Sequence, residues 1–272
     1  MSGSADELAS IEALAFELAQ LAGAQIVSSL GRTLAVRYKT LAKGEEAVFK
    51  DPVSEVDQAV EVLLRARLAD RFPDHGIIGE EVEETTGTSP YTWVIDPVDG
   101  TANFVNGFPL FAASIGVIRD GVPVVGAVWC STSHALRHGV YHSRDGGPLY
   151  FDEEAINAVD RAQVRRRLVG LPQIVPAGTA AHEGRQTGSS AIECAFVAAG
   201  LLAGARFARP NIWDVAGGIV LARSAGADVL TLEDNEGARW APFQSFAPQG
   251  SNPANWKQGL ALGAPGALAV IV

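Results

Sequence analysis

The chain has 272 residues, 47% hydrophobic and 19% charged, with 31 acidic against 21 basic side chains and a formal net charge of −10. That composition argues against a disordered chain and supplies ample material for a core. The acidic surplus argues against binding to nucleic acid or to an anionic membrane, both of which need basic patches. An anionic partner would therefore need positive charge supplied locally, which bound divalent cations could do. Cys130 and Cys194 show neither zinc-ligand spacing nor a disulfide framework, which suits a reducing compartment. The acidic, amphipathic N-terminus is unlike a signal peptide. The apolar run 261–272 is broken by Gly263, Pro265 and Gly266 and is too short to span a bilayer. The expectation is a soluble, cytoplasmic protein.

In chain order, Ser4 and Glu7 have the spacing of a capping box. Leu8, Ile11, Leu14, Ala15, Leu18, Leu21 and Ala22 then recur at helical intervals until Gly31, predicting an amphipathic helix. Residues 41–51 are polar and read as a mobile loop. Ser54 opens a second helix, with Val56, Val60, Leu63, Leu64 and Leu68 on one face and an end before Phe72-Pro73. Asp57 lies in its first turn, where the helix dipole favours a carboxylate. Gly76-Ile-Ile-Gly79 is a short strand that delivers Glu80 and Glu81, and Glu83 and Glu84 beyond it read as a solvated acidic loop.

Trp93-Val94-Ile95 fits a buried strand that runs into Asp96, with Asp99 three residues on. Pro97 has no N–H to give a neighbouring strand and is expected to end it. Gly100 permits a sharp turn, and Thr101 or Asn103 is expected to cap a short helix. Two carboxylates at a strand's end, facing helix amides, can hold hard cations on the acids and a phosphate on the amides.

Residues 112–119 and 122–129 flank Asp120-Gly121 as a hairpin, and 136–141 with 149–151 flank Asp145-Gly146-Gly147 as another. His134, His138 and His142 fall in that second hairpin, where their spacing does not converge on a metal. In the second half, 165–171 reads as a strand, with Arg165, Arg166 and Arg167 as a solvated edge. Residues 189–202 read as an Ala-rich helix and 206–208 as a strand. Trp213-Asp214 opens a helix ended by Gly226, and 227–232 is a strand. Two helices followed by an antiparallel sheet predict a layered α/β arrangement of the α+β type.

Asp57, Glu80, Asp96, Asp99 and Asp214 each sit where an apolar element begins or ends. If they converge, they cannot all stay ionised without a counter-charge. Two or three Mg²⁺ would supply it, and two such ions about 3.5–4 Å apart activate a water and stabilise a leaving oxygen.

Asp96-Pro-Val-Asp99-Gly-Thr-Ala-Asn-Phe104 resembles the D-P-x-D-G-T-x-N-F signature of the inositol monophosphatase family. Gly79-Glu80-Glu81 resembles its upstream G-E-E, and residues 51–57 resemble its D-x-V-T-x-x-D segment with Ser54 in place of Thr. Trp213-Asp214-Val-Ala-Gly-Gly218 with Ala225-Gly226-Ala227 is similar to its second signature. The resemblance runs from the first helix to about Phe243. It implies a five-layered αβαβα sandwich, one domain over 1–272 with halves meeting near 155, usually a Mg²⁺-dependent homodimer inhibited by Li⁺. It implies metal ligands at Glu80, Asp96, the carbonyl of Val98, Asp99 and Asp214. Glu80 and Thr101, with Asp57 behind Thr101, would orient and deprotonate the attacking water. The amides of Gly100 and Thr101 would hold the phosphate, and Gly188 and Ser189 would touch the sugar or polyol.

One departure concerns the substrate. Members acting on inositol phosphates usually carry an acid several positions before W-D, yet no carboxylate lies between Glu193 and Asp214. Arg206, Arg209 and Asn211 stand there instead, and Arg prefers planar anions, which suggests a second anionic group on the substrate. The reading is a phosphomonoesterase for a small phosphorylated polyol or sugar. Fructose bisphosphatase, histidinol-phosphate phosphatase and phosphoadenosine-phosphate phosphatase are the alternatives within the superfamily. The rival of another class is an acidic cation-binding module without catalysis.

Overall fold

The computed structural model describes residues 2–30, 36–39, 50–157, 164, 167–173, 182–234 and 239–272. Helix α1 (Ser2–Ser29) carries Ile11, Leu14, Leu18, Ala22 and Ile26 as a buried stripe, as its periodicity predicts. It begins ahead of Ser4, which therefore lies inside the helix rather than capping it. Most of the loop expected at 41–51 lies outside the described residues. Its last two members instead open β2 (Lys50–Ser54), antiparallel to β1 (Val36–Lys39). Helix α2 (Glu55–Arg71) follows and buries Val56, Val60, Leu64 and Leu68.

A seven-stranded sheet comes next, with its strands side by side in chain order. They are β3 (Gly76–Gly79), β4 (Tyr91–Asp99), β5 (Ala112–Arg119), β6 (Val122–Cys130), β7 (Gly139–Arg144), β8 (Tyr150–Phe151) and β9 (Glu154–Ala155). Only β3 and β4 pair in parallel. The β5–β6 turn is the one expected, with Asp120 and Gly121 both at positive φ, 51° and 81°. The next hairpin is shifted: β7 starts at Gly139, and Leu136 is a solvated loop residue. Between β4 and β5 runs the short helix α3 (Thr101–Val105).

The second half builds a six-stranded sheet from β10 (Arg167–Gly170), β11 (His182–Arg185), β12 (Gly204–Phe207), β13 (Asp228–Asp234), β14 (Arg239–Pro242) and β15 (Leu260–Gly263), in the order β11-β10-β12-β15-β13-β14. Strand β10 thus lies between two neighbours, and Arg167 is not on the expected sheet edge; Arg165 and Arg166 lie outside the described residues. Helices α4 (Ser190–Ala198) and α5 (Ile212–Ser224) fill the space between the sheets, and α6 (Pro265–Ile271) covers the far side of the second. The layers are α1/α2, seven strands, α4/α5, six strands, α6, the expected αβαβα sandwich. Strands covered on both faces must be apolar on both, and β4 to β6 are buried almost throughout. Among the described residues no helix is long and apolar enough to cross a membrane.

One contact sets how far α5 descends onto the first sheet. Gly116 and Gly126 pair across β5 and β6, and Gly217 of α5 rests against them. A Cβ on Gly126 would lie 2.1 Å from the Gly217 carbonyl oxygen, and one on Gly116 would lie 2.8 Å from the Gly217 nitrogen. Helix backbone here touches sheet backbone. Asp214, one turn before Gly217, is carried down to the level of the acids on β4.

Candidate active site

Side chains alternate along a strand, so Val94 and Asp96 share the face turned toward α5, while Trp93 and Ile95 pack under α1 and α2. Three residues on, Asp99 would fall on the opposite face of a regular strand. The pairing shows why it does not. Asp96 faces Ser114 and Asp99 faces Ala112, so three steps on β4 match two on β5. This β-bulge at Pro97-Val98 returns both acids to the inner face. The expectation that Pro97 ends the strand is corrected: pairing resumes at Asp99, because a bulge tolerates the missing N–H.

Gly100 then adopts φ 84°, a left-handed turn that favours glycine, and serves as the N-cap of α3 without a side-chain cap. The expected caps do other work. Thr101 Oγ1 lies 2.8 Å from the Val98 carbonyl and 3.1 Å from Asp57 Oδ1, and donates its hydrogen to either. Asn103 donates from Nδ2 to the carbonyls of Leu110 and Thr187, at 2.6 and 2.8 Å, tying α3 to the loop before α4.

Asp99 Oδ2 accepts from the Ser189 hydroxyl and from the Ala191 amide, the latter at 2.8 Å. Ser189 also caps α4, so its hydroxyl orients an acid, although Gly188 and Ser189 both line the neighbouring pocket as expected of substrate contacts. Asp214 Oδ2 accepts from the Asn211 amide at 2.7 Å within a capping box at the start of α5. Asn211 in turn receives a hydrogen bond from Lys257 Nζ, which stands 5.9 Å over the Trp213 ring. The part played by Asn211 is legible in its N-x-x-D spacing; nothing in the sequence points to Lys257.

One carboxylate oxygen each from Asp96, Asp99 and Asp214 lies within 4.8 Å of the others. They line a cavity of about 220 Å³ with Glu80, Val98, Gly100, Thr101, Ala102, Gly188 and Asn211. Asp57 sits behind Thr101, almost wholly buried. Every acid singled out by sequence is thus in or directly behind one cavity. A larger cavity of about 760 Å³ between α1 and β7–β8 contains none of them.

The electrostatics follow from burial and like charge. Burial, then the charges of Glu80, Asp99, Asp214 and Asp57, holds the Asp96 carboxyl well above the usual range. Burial raises Asp99 to about 7 against the hydrogen bonds from Ser189 and Ala191. Burial and then the Asp99 charge raise Asp214 to about 8, opposed by the Asn211 amide and Lys257. An all-oxygen donor set under mutual repulsion fits a hard divalent cation such as Mg²⁺. Soft metals would need thiolates, and burial pushes the nearby Cys130 and Cys194 thiols up, keeping them protonated.

A second pocket of about 270 Å³ shares Gly188 and Asp214 with the acidic cavity and continues past Leu171, Phe207, Arg209 and Pro210. Two of the three residues expected to face substrate also make bonds within the protein. Asn211 binds Asp214, and Arg206 donates to the Ile271 carbonyl at 3.1 Å while standing 5.6 Å over the Trp240 ring. Arg206 nevertheless lines the pocket, as does Arg209, and both are exposed there. Burial raises the Glu193 carboxyl in that pocket to about 7, although Thr187 donates to it from both hydroxyl and amide.

Comparison with known proteins agrees with this fold. The model of the inositol monophosphatase family matches residues 7–262. A protein of Aquifex aeolicus named fructose-1,6-bisphosphatase/inositol-1-monophosphatase is 31% identical over 231 residues, 79% of this chain and 83% of that protein. The extragenic suppressor protein SuhB from Bartonella henselae superposes with a TM-score of 0.72 at 25% identity, covering 94% of both chains. Inositol monophosphatase from Anabaena superposes with a TM-score of 0.70 at 23% identity, over 95% of this chain and 92% of that one, which speaks for the fold alone.

Proposed function

The chain belongs to the inositol monophosphatase family, a family of phosphatases, and on that premise we propose that it is a Mg²⁺-dependent phosphomonoesterase of a small phosphorylated polyol or sugar. The observation that carries the reading is the meeting of Asp96, Asp99 and Asp214 in one cavity, with Glu80 and the Thr101–Asp57 pair on its wall. Two or three Mg²⁺ held by Glu80, Asp96, the Val98 carbonyl, Asp99 and Asp214 would lower the pKa of a bound water and stabilise the leaving alkoxide.

The chain's own groups divide the remaining work. With its hydrogen given to Asp57, Thr101 Oγ1 keeps its lone pairs for a water at the cavity wall, and Glu80 is placed to take that water's proton. The amides of Gly100 and Thr101, at the first turn of α3, are assigned to the phosphate oxygens. Water attacks phosphorus as its proton passes to Glu80, the P–O ester bond breaks, and the leaving alkoxide takes up a proton from solvent to depart as the alcohol, with no covalent phosphoenzyme. The alcohol moiety extends past Gly188 and Ser189 into the second pocket, where Arg209 favours a substrate with a second anionic group. The name of the Aquifex relative, which joins a bisphosphatase to a monophosphatase, supports that second reading. A homodimer is the proposed assembly.

The test is phosphate release from a panel of polyol and sugar mono- and bisphosphates, with and without Mg²⁺ and Li⁺. Release dependent on Mg²⁺ is expected; none from any ester would leave the non-catalytic cation module. Arg209→Ala should lower kcat/KM for bisphosphates by roughly tenfold or more while sparing monophosphates, as loss of a charged hydrogen bond implies. Equal relative rates in both proteins would remove the second-anion reading.

A further inference from the structure

Glu80 is placed unlike the other acids. Asp96 and Asp99 are buried on a paired strand, whereas Glu80 is partly exposed on a loop and falls outside the tight group of three, though it lines the same cavity. A loop carboxylate reaches a fixed position only if its backbone is held, since ordering a free one costs about 1–2 kcal/mol per residue.

The surrounding contacts supply that hold. Ile77 and Thr85 exchange both backbone hydrogen bonds at 2.8 Å and close the loop at its foot. The Glu80 amide donates to the Ile95 carbonyl at 3.2 Å. Beneath the loop lies an ion pair from α2: Arg65 Nε to Glu61 Oε1 at 2.8 Å, with the Glu61 side chain fully buried and that of Arg65 12% exposed. Glu61 Oε2 accepts the Glu81 amide at 2.8 Å. Arg65 donates from Nη2 to the Val82 carbonyl at 2.9 Å and from Nη1 to Thr85 Oγ1 at 3.2 Å. A Cβ at Gly79 would lie 1.9 Å from Glu61 Oε1 and 2.9 Å from Arg65 Nη2, so the strand end has a glycine where the pair passes beneath it.

We propose that Glu61 and Arg65 are positioning residues that hold Glu80 as a ligand and thereby set metal affinity at the open side of the cage. The proposal rests on the reading of Glu80 as a metal ligand. A buried ion pair is a poor source of stability, because desolvation offsets most of its attraction and an apolar pair of equal size would serve the core as well. An apolar pair could not accept the amide of Glu81 or donate to the carbonyl of Val82. Those two bonds fix the 80–81 and 82–83 peptide units that follow Glu80, and outer groups of this kind typically change metal affinity 10–100-fold.

The experiment titrates Mn²⁺ alone, by calorimetry, into purified wild type, Arg65→Met, and the double variant Glu61→Leu/Arg65→Met. The double variant leaves no unpaired buried charge and so carries the test if the single variant fails to fold. Mn²⁺ affinity at one site should fall roughly 10–100-fold in both, with kcat at saturating metal within a few-fold of wild type. In a Glu80→Ala background, Arg65→Met should have no further effect on Mn²⁺ affinity, a coupling that a merely structural role would not produce. Wild-type affinity in the double variant, or additive losses in the Glu80→Ala background, would overturn the proposal while leaving a working phosphatase. A wild type that neither binds Mn²⁺ nor releases phosphate would sink the phosphatase reading itself.

Discussion

Asp99→Asn should push stability and activity in opposite directions. Asp99 Oδ2 accepts from the Ser189 hydroxyl and the Ala191 amide, and an asparagine oxygen can take both bonds. The substitution therefore removes charge with little change of shape. Burial raises this carboxyl from 3.8 to about 7 in the folded protein, and at 1.36 kcal/mol per pH unit its full ionisation costs the metal-free fold about 4 kcal/mol. The folded state binds the proton more tightly than the unfolded one, so this cost is absent below about pH 4, grows with pH and levels off above about 7. Metal-free Asp99→Asn at pH 8 should accordingly melt roughly 5–10 °C above wild type, with the gap closing as the pH falls toward 4. Saturating Mg²⁺ should raise the wild-type melting temperature and leave the variant nearly unmoved, while phosphate release falls by orders of magnitude. Thermal melts at pH 4, 6 and 8, each with chelator or excess Mg²⁺, read all of this. A variant that melts below wild type in chelator at pH 8, or keeps its turnover, would refute the picture of acids held together against their repulsion.

Two further substitutions probe the catalytic wall and the seat of α5. Thr101→Ala removes the hydroxyl between Asp57 and the cavity, so kcat should drop about 100-fold or more, in the range of a lost acid–base partner, with Mn²⁺ affinity within a few-fold; an unchanged kcat would free Thr101 of any role with water. Gly126→Ala places a Cβ 2.1 Å from the Gly217 carbonyl oxygen, where no rotamer can relieve it. It should cost at least about 1–3 kcal/mol and also weaken Mn²⁺ binding, because α5 carries Asp214; a normal melt would show that the helix has room to shift.

What could be read from the sequence, and what could not, divides along a physical line. The acids announced themselves because a carboxylate ending an apolar run, as Asp96 does after Trp93-Val94-Ile95, has no packing reason to be there. Their convergence is legible only through the family resemblance, not from local pattern. Asp96 and Asp99, three apart, point to opposite faces in any regular strand, and only the register against β5 reveals the extra residue that reunites them. Arg167 was misplaced for a related reason: chain order does not give sheet order, and β11 pairs outside β10 although it comes later. Ser189 was legible through family resemblance as a substrate neighbour, but its bond to Asp99 spans 90 positions and leaves no local pattern. The Glu61–Arg65 pair has only the spacing of an ordinary i,i+4 helix pair, while its partners are backbone groups of a loop some 20 positions on, which leave no local pattern.

The same long-range assembly answers the question posed by the net charge. Among the described residues, the cations beside the acidic cavity are Lys257, held on Asn211 and over Trp213, and Arg206 and Arg209 in the adjoining pocket. With their carboxylates ionised, as metal ligation requires, Asp57, Glu80, Asp96, Asp99 and Asp214 outnumber these three cations, and both arginines lie on the side where the alcohol, not the phosphate, is assigned. At an ionic strength where screening acts within about 8–10 Å, no distant surface group can change that sign. On the proposed reading, a phosphate monoester would enter once divalent ions had reversed the local charge, so that metal binding would admit substrate as well as activate water. Kinetics under limiting Mg²⁺ should show the ordered pattern, with apparent substrate affinity falling steeply as metal is withdrawn.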